Sequence, residues 1–392
     1  MELPAKDVSK RETPFSFGHP DRLFAYIDQN MPAFMESLIQ ICEVPAPTFL
    51  EEKRGRYFAS LFQNMGTPET DAAGNIIIPL SRNGKPHVVL SAHLDTVFPF
   101  DSIKVERQNS MLRAPGISDD SAGLAALLLI ARAFCQTGLP ATGSLTLLAT
   151  VGEEGLGNLR GARHYFDNHG DTVDYFISLD GSDAVRLVTV GLASKRIRII
   201  LRGPGGHSWG DAGTVNPIHV AGELLSRINR LALPSRPKTS INVGIISGGT
   251  SINTIPNEMF MDVDMRSEGA ESLRWLDQYV QNALKEIADA HSAITAEIKV
   301  VGERPSGSVS PDHPLVLKAV AANHKSGLDA KLETGSTDSN IPFSLGIPAV
   351  TIGVGGESGK IHTPEEWYDV TGAEAGLKRT ALLLMQLLSN VS

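Results

Sequence analysis

SAHLDTV, residues 91–97, is the stretch that decides the fold of this chain. It directly follows an apolar run and contains a histidine and an aspartate, two side chains that can bind metals. The run from His87 to Leu90 is typical of a buried parallel strand, which predicts that His93 and Asp95 lie where the strand ends. Open α/β sheets bind their ligands at that end of their strands. An aspartate at this spacing can accept the spare ring N–H of a metal-bound imidazole. The stretch alone leaves open whether His93 binds a metal, with Asp95 orienting it, or is a structural histidine beside a capping aspartate.

Helix and strand patterns alternate on both sides of this stretch. Helical spacing of apolar residues covers 19–43, 51–64, 121–136 and 159–168, and strand patterns cover 75–79, 87–90, 145–151 and 175–179. Gly138 follows the third helical pattern, where a glycine commonly ends a helix. The alternation predicts an α/β fold in which helices sandwich a mostly parallel sheet.

A second domain is predicted after Gly191, because Lys195 to Leu201 alternates charged and apolar residues as a strand with one solvated face does. The patterns that follow have the order βαββαβ, the ferredoxin-like motif. They are strand 192–202, helix 215–231, strands 239–247 and 258–266, helix 270–291 and strand 294–301. A linker over 302–311 then leads to helix 314–326, strand 348–353 and helix 371–389, which complete the first domain. The predicted division is 1–190, 191–303 and 304–392.

Composition narrows the class of partner. The chain has 392 residues, more than one hydrophobic core usually holds, which favours two domains. Its formal charge of -9, from 35 basic and 44 acidic residues without a Lys/Arg-rich run, argues against nucleic acid. Cys42 and Cys135 both lie in helix-like apolar segments and are expected to be small core residues in a reducing compartment.

Neither an export signal nor a membrane segment is predicted. Residues 1–18 mix charge, Pro and Ser without an apolar core and are interpreted as a loosely held arm. The longest apolar run, Ala122 to Phe134, is interrupted by Arg132 and is too short to span a bilayer. We therefore expect a cytoplasmic protein that does not enter a membrane.

Two pairs of adjacent acidic residues lie beside predicted helices or strands further along the chain. In GISDDSAG, directly before a helix, Asp119 and Asp120 can cap that helix or bind a metal. In ATVGEEG, at the end of a buried strand, Glu153 and Glu154 point in opposite directions if the backbone is extended, so one can bind a metal while the other faces a water. The alternative for this second pair is an ordinary charged loop.

Two more stretches complete the set. Asp180 in SLDGS ends an apolar strand, and His362 in GKIHTPEEW lies in a loop. Five strand ends or loops thus bring acidic or imidazole side chains to one predicted edge of one sheet. Two histidines with three carboxylate ligands form a nitrogen and oxygen set suited to a pair of zinc-like ions, and a further carboxylate is then needed as a base.

The motifs HLDTV, GISDD, GEEG, LDG and IHTPEE, in this order, resemble those of the co-catalytic zinc peptidase family of peptidase T, carboxypeptidase G, acetylornithine deacetylase and succinyl-diaminopimelate desuccinylase. The resemblance covers essentially the whole chain after residue 20. It implies a catalytic domain from 1–190 and 304–392, with 191–303 as an inserted lid and dimerisation domain. It also implies these roles: His93 and Asp180 bind one metal, Glu154 and His362 bind the other, Asp119 bridges them, Glu153 is the base, Asp95 supports the ligands, and the Asp119–Asp120 peptide is cis.

The resemblance extends to the inserted domain and to one later loop. GGHSW resembles a family segment whose histidine reaches across a homodimer to stabilise an oxyanion, which makes His207 the candidate. Asn253 and Arg266 match family positions that hold substrate, Arg266 as a carboxylate fork. GSTDSN resembles a loop that lines the substrate pocket, and the positions carried over are Gly335, Ser336, Thr337 and Asp338.

The expected activity follows from the same resemblance. Family aminopeptidases and dipeptidases usually carry Asp where this chain has Asp180, whereas its deacylases and carboxypeptidases usually carry Glu. We therefore expect a metal-dependent exopeptidase of the aminopeptidase, tripeptidase or dipeptidase type, with two zinc ions, although cobalt and manganese suit the same ligands. The alternatives are an N-acyl amino acid deacylase or carboxypeptidase of this family, and a non-catalytic binding protein on the same fold.

Overall fold

The computed structural model describes residues 20–138 and 142–389, so the arm predicted over 1–18 lies outside the described part. The chain forms two compact units. Unit 1 consists of the chain up to Gly191 together with the chain from Ser308, and unit 2 is Leu192–Gly307.

Helices and strands are numbered in chain order. The first segment of unit 1 has helices α1 (Asp21–Gln29), α2 (Met31–Cys42), α3 (Glu52–Ser60), α4 (Ser121–Thr137) and α5 (Arg160–His169). Its strands are β1 (Glu69–Thr70), β2 (Ile76–Asn83), β3 (His87–His93), β4 (Glu106–Gln108), β5 (Met111–Arg113), β6 (Gly143–Thr150), β7 (Tyr175–Leu179) and β8 (Arg186–Gly191). Unit 2 has β9 (Ala193–Arg202), β10 (Gly206–His207), α6 (Pro217–Asn229), β11 (Thr239–Gly248), β12 (Thr254–Ile255), β13 (Glu258–Ser267), α7 (Ala270–Ala290) and β14 (Thr295–Arg304). The last segment has β15 (Gly307–Ser308), α8 (Pro314–Lys325), β16 (Lys331–Gly335), α9 (Asn340–Ser344), β17 (Ala349–Ile352), β18 (Glu357–Gly359), β19 (Trp367–Asp369) and α10 (Ala373–Leu388).

The large sheet of unit 1 confirms the predicted α/β fold. Its strands run in the order β1-β2-β6-β3-β7-β17-β8-β15, and β16 pairs with β8 in parallel. The central strands β6, β3, β7 and β17 are parallel, whereas β2 pairs with β6 and β8 pairs with β17 in antiparallel directions. The sheet is therefore mostly parallel at its centre and mixed at its edges, which places the ends of β3, β6 and β7 side by side.

Apolar side chains bury the central strands and the helix that covers them. Val88, Val89 and Leu90 of β3 are fully buried, as the apolar run predicts. Helix α4 is buried along most of its length and ends at Gly138, whose φ of 96° favours a glycine. Burial of each large aliphatic side chain contributes about 1.5–3 kcal/mol, so β3 and α4 hold the adjoining loops on a rigid base.

Unit 1 differs from the sequence prediction in two details. The single helix predicted over 19–43 is two helices, because the chain breaks at Asn30, where the side-chain Nδ2 donates to the carbonyl O of Tyr26 at 2.8 Å. Pro32 then lies in the first turn of α2, where its missing N–H leaves no helical bond unmade. The structure also contains a small sheet in the order β18-β19-β5-β4 that the sequence did not predict, since each strand has only three residues.

Unit 2 has the predicted ferredoxin-like fold. Its antiparallel sheet has the order β11-β13-β9-β14, and α6 and α7 pack on one face. Alternation along β13 buries Met259, Met261, Val263 and Met265 against the helices. The opposite face carries ion pairs, such as the one between Arg198 and Asp262.

Among the described residues, no helix combines the length and the apolar character needed to span a bilayer.

Candidate metal centre

Three neighbouring parallel strands bring four of the predicted site residues to one edge of the large sheet. His93 is the last residue of β3 and pairs in register with Thr150, the last residue of β6. Glu153 and Glu154 follow β6, and Asp180 directly follows β7. Since parallel strands end at the same edge, these side chains converge as the sequence predicts.

Asp119 joins this cluster from the loop before α4, with one carboxylate oxygen near each of the two histidines. Its Oδ1 lies 2.9 Å from Nε2 of His93, and its Oδ2 lies 3.1 Å from Nε2 of His362. Nε2 of His362 is also 2.9 Å from Oε1 of Glu154. Residues from distant parts of the sequence therefore share one cluster centred on the carboxylate of Asp119.

The donor atoms are close enough to hold metal ions. Three groups each have one ligand atom per residue within 4.8 Å of the others: His93 with Asp119 and Asp180, Asp119 with Glu154 and His362, and His93 with Glu153 and Glu154. Imidazole nitrogen and carboxylate oxygen are ligands of zinc and of similar divalent ions. The first two groups share Asp119, so the residues present fit two ions with a common carboxylate.

Asp95 acts differently from the sequence prediction. The ring Nδ1 of His93 lies 3.0 Å from the backbone carbonyl O of Asp95, whereas the carboxylate Oδ1 is 3.7 Å away. The carboxylate instead accepts backbone N–H groups of Glu153 and Glu154, at 2.9 and 3.0 Å, and the hydroxyl of Thr48 at 2.9 Å. The difference arises because Asp95 lies two residues beyond the end of β3, where strand alternation no longer directs its side chain.

The loop before α4 is held by the second aspartate of its pair. The carboxylate of Asp120 accepts the N–H of Gly123 at 3.1 Å and the N–H of His93 at 3.0 Å, so it caps α4 and fixes the end of β3. The Asp119–Asp120 peptide is cis. Asp120 is therefore the cap, and Asp119 faces the cluster.

Charges within the cluster shift the pKa of its members. Hydrogen bonds that its ring donates to the carboxylates of Asp119 and Glu154 raise the pKa of His362 to about 10. Burial, and then the nearby Asp119, raise the pKa of Asp180 to about 6. Burial opposes ionisation of Asp119, but its hydrogen bonds to both histidines hold its pKa below the usual range. The charged forms of His362 and Asp119 therefore stabilise each other.

Of the three predicted residues of unit 2, His207 and Arg266 lie on strands and Asn253 lies in the turn before β12. His207 ends β10, is exposed, and accepts the N–H groups of Trp209 and Gly210 at its ring Nδ1, at 3.2 Å each. Asn253 is exposed, and its side chain accepts the hydroxyl of Ser251. Arg266 lies on β13, and its Nε is 2.7 Å from Oδ2 of Asp264. The guanidinium of Arg266 therefore already has a carboxylate partner within unit 2.

The loop predicted to line the substrate pocket is largely internal. Thr337 and Asp338 are 2% and 1% exposed. Oδ2 of Asp338 accepts the hydroxyl of Thr150 at 2.5 Å, and the hydroxyl of Thr337 lies 2.7 Å from that of Thr351. These two side chains support the sheet edge and offer no surface for direct contact. Gly335 is also buried, and Ser336 is partly exposed.

Sequence reasoning assigned no role to three residues that hold the cluster in place. Thr48 bonds to Asp95, and the fully buried guanidinium of Arg54 donates to the carbonyl O of Leu94 at 2.9 Å. Glu366 is fully buried and accepts backbone N–H groups of the loop that carries Asp119. Burial raises the pKa of Glu366 to about 7. Only Glu366 had a signal in the sequence, since it lies four residues after His362 in the same motif.

Two features define a metallopeptidase. The first is a mostly parallel sheet with an inserted ferredoxin-like unit, and the second is a cluster of two histidines and several carboxylates at the edge of that sheet. The chain belongs to peptidase family M20/M25/M40, whose model matches residues 89–389. It is therefore a hydrolase.

Two curated relatives are similar over most of this chain. The uncharacterised protein YqjE of Bacillus subtilis (strain 168) is 25% identical over 355 residues, which cover 86% of this chain and 93% of YqjE. The succinyl-diaminopimelate desuccinylase of Stenotrophomonas maltophilia (strain R551-3) is 27% identical over 316 residues, which cover 74% and 81% of the two chains.

Solved structures share the fold at lower identity. A tripeptidase from Staphylococcus aureus has a TM-score of 0.78 at 22% identity, and the match covers 92% of this chain and 99% of that one. The YXEP protein of Bacillus subtilis, described as a dinuclear metal binding peptidase from the M20 family, has a TM-score of 0.67 at 17% identity, covering 92% and 99%. At these identities the likeness concerns the fold alone.

Proposed function

We propose that this protein is an exopeptidase of the aminopeptidase, tripeptidase or dipeptidase type that acts on short peptides in the cytoplasm with two divalent metal ions. The observation that carries the proposal is the position of Asp119, whose two carboxylate oxygens lie beside two different histidines. A carboxylate with one oxygen for each ion is the arrangement that a shared ligand requires.

The proposed ligands divide into two groups around Asp119. His93 and Asp180 hold one ion, and Glu154 and His362 hold the other, in line with the groups whose donor atoms lie within 4.8 Å of one another. Zinc is the proposed metal, because its ligands in proteins are imidazole and carboxylate groups of this kind; cobalt or manganese would suit them as well.

Glu153 is the proposed general base. When bound, two ions at such a site polarise a substrate carbonyl and make a water molecule more acidic. Glu153 takes the proton from this water on a carboxylate oxygen and delivers it to the departing amine. Its carboxylate lies in the group with His93 and Glu154, and it is only 5% exposed, which favours proton transfer away from bulk solvent.

Asp95 is proposed to align the base and a ligand together. Because its two oxygens hold the N–H groups of Glu153 and Glu154, the backbone on both sides of this pair is fixed. The neighbouring side chains then point in different directions, one toward the ions and one toward the water.

Substrate binding is assigned to unit 2, which we propose as a lid and dimerisation domain. In a homodimer, His207 would stabilise the oxyanion in the partner's site, and Asn253 and Arg266 would hold the substrate. Arg266 would exchange its carboxylate partner Asp264 for that of the substrate. Ser336, which is partly exposed, is kept as a proposed pocket-lining position.

The choice of peptide over N-acyl substrate depends on Asp180 and is supported by the fold shared with the Staphylococcus aureus tripeptidase. The similarity to a succinyl-diaminopimelate desuccinylase favours the second candidate, an N-acyl amino acid deacylase. A panel of dipeptides, tripeptides, N-acetyl amino acids and N-succinyl diamino acids, tested with and without a chelator, separates the two. We expect chelator-sensitive release of amino acids from the peptides; cleavage of the acyl substrates alone would contradict the peptidase assignment.

A further inference from the structure

We propose that Glu366 is a positioning residue that joins the loops carrying Asp119 and His362 and thereby sets the affinity of the metal ion between them. The inference rests on the proposed function, because it concerns one of the two proposed ions. Glu366 is fully buried, as expected for a side chain that acts on the protein's own backbone.

The carboxylate of Glu366 accepts three backbone N–H groups of one loop. Its Oε1 lies 2.8 Å from the N of Ser118 and 3.0 Å from the N of Asp119, and its Oε2 lies 3.1 Å from the N of Gly116. The direction of the backbone at Asp119 is therefore fixed by a side chain from the other end of the chain.

The backbone of Glu366 is anchored to the same loop. Its carbonyl O accepts the N–H of Ala114 at 3.0 Å, and the next residue, Trp367, pairs with Arg113 where β19 meets β5. His362 lies four residues earlier in the same loop. One residue thus holds the segment with His362 against the segment with Asp119, through both its backbone and its side chain.

Gly116 lets the N–H groups converge on this carboxylate. Its φ of 72° is a conformation that favours glycine, and a Cβ at this position would lie 2.6 Å from Cγ2 of Thr96. Successive N–H groups in such a turn form an anion-binding concavity. Here the anion is supplied by Glu366 of the same chain.

The two proposed ions depend on this connection to different degrees. Two of the three donors around the second ion, Asp119 and His362, lie on the loops that Glu366 joins. The other ion keeps His93 and Asp180, which stand at the ends of β3 and β7. Loss of the connection is therefore expected to weaken the binding of the second ion more than that of the first. Substitution of residues that support ligands typically lowers metal affinity by about 10–100-fold.

The test compares Glu366→Gln with Glu365→Gln. Both remove one carboxylate from the same motif, but Glu365 is exposed and Glu366 is buried. The metal-free proteins are titrated with zinc in competition with a chromophoric chelator, which yields two dissociation constants for the wild type. We expect Glu366→Gln to raise one constant by about 10–100-fold with a smaller change in the other, and Glu365→Gln to change neither.

Thermal unfolding in chelator shows whether each variant folds without metal. If Glu366→Gln does not unfold cooperatively, Glu366→Asp replaces it. This variant keeps the charge but is one methylene too short to reach all three N–H groups. The same selective loss of affinity for one zinc ion is expected. Two unchanged constants, or equal changes in both, would overturn the role of Glu366. A wild type that binds no zinc would instead remove the proposed function.

Discussion

Asp119 and His362 are 243 positions apart in the sequence, yet Oδ2 of Asp119 lies 3.1 Å from Nε2 of His362. The other oxygen of Asp119 faces His93 at 2.9 Å. This relationship depends on the whole fold of unit 1, because β3 carries His93, the loop before α4 carries Asp119, and the segment between β18 and β19 carries His362. In the proposed function, this placement lets Asp119 bind both metal ions. Substitutions of individual side chains test that proposal.

Glu153→Gln removes the proposed base and leaves the proposed ligands in place. We expect turnover of a cleaved peptide to fall by about 10²–10⁴-fold, the usual contribution of general acid–base catalysis, while two ions remain bound. Peptidase assays are combined with metal analysis of the same sample, and Glu365→Gln serves as an exposed control. A fully active Glu153→Gln protein would remove this assignment.

His207→Ala tests whether sites are shared between subunits. A mixture of this variant with Glu153→Gln, allowed to exchange subunits, should recover part of the activity, because one of the two sites in a mixed dimer would contain both an intact base and an intact histidine. The activity of the mixture is compared with each variant alone. Absence of rescue, with subunit exchange verified by mass, argues against a shared site.

Asp95→Asn tests the support of the Glu153–Glu154 pair. An amide offers only one acceptor oxygen in place of the two that hold these N–H groups, so a buried N–H loses its partner. We expect a loss of about 1–3 kcal/mol in the free energy of unfolding. Denaturant unfolding measures it, with the exposed Asp101→Asn as control. Equal stabilities of the two variants would show that the Asp95 contacts contribute little.

Zinc should stabilise the protein more as the pH rises from about 6 to about 8. The pKa of His362 is raised to about 10, so in the metal-free fold its charge adds stability below its ordinary pKa of 6.5, and this is lost as the pH rises toward 10. Asp180, with a pKa raised to about 6, ionises as the pH passes that value. Metal binding requires a neutral imidazole and an ionised carboxylate, so both groups favour higher pH.

Thermal unfolding with and without zinc measures this effect. At a free zinc concentration about 100-fold above the dissociation constant, one site adds about 2.7 kcal/mol to the free energy of unfolding. The rise in melting temperature should therefore be larger at the higher pH when total zinc is held constant. A smaller rise at the higher pH would mean that these groups do not bind the metal.

Sequence reasoning predicted the parts of the fold that rest on long periodic patterns. The apolar runs of β3 and β7 and the pattern of α4 are continuous, so their positions, and hence the convergence of His93, Asp119 and Asp180, followed from strand direction. The break at Asn30 and the three-residue strands β4 and β5 did not, because such short elements have no periodicity to detect. These short strands bring together residues from opposite ends of the chain, and those contacts were not predicted for the same reason.

The detailed partners of the site were also beyond sequence reasoning. The spacing of His93 and Asp95 predicted a side-chain hydrogen bond, but the chain turns after β3, and the carboxylate faces the Glu153–Glu154 backbone. Likewise, Thr337 and Asp338 were expected at the pocket and are buried, since nothing in the loop sequence distinguishes a lining side chain from a supporting one.

Diffraction from zinc-loaded crystals at the zinc absorption edge tests the central claim most directly, because anomalous scattering locates the ions without reference to activity. The account predicts two peaks about 3.5–4 Å apart, with Asp119 between them, His93 and Asp180 at one, and Glu154 and His362 at the other. No peak in this cluster, or a single ion that does not contact Asp119, would contradict it.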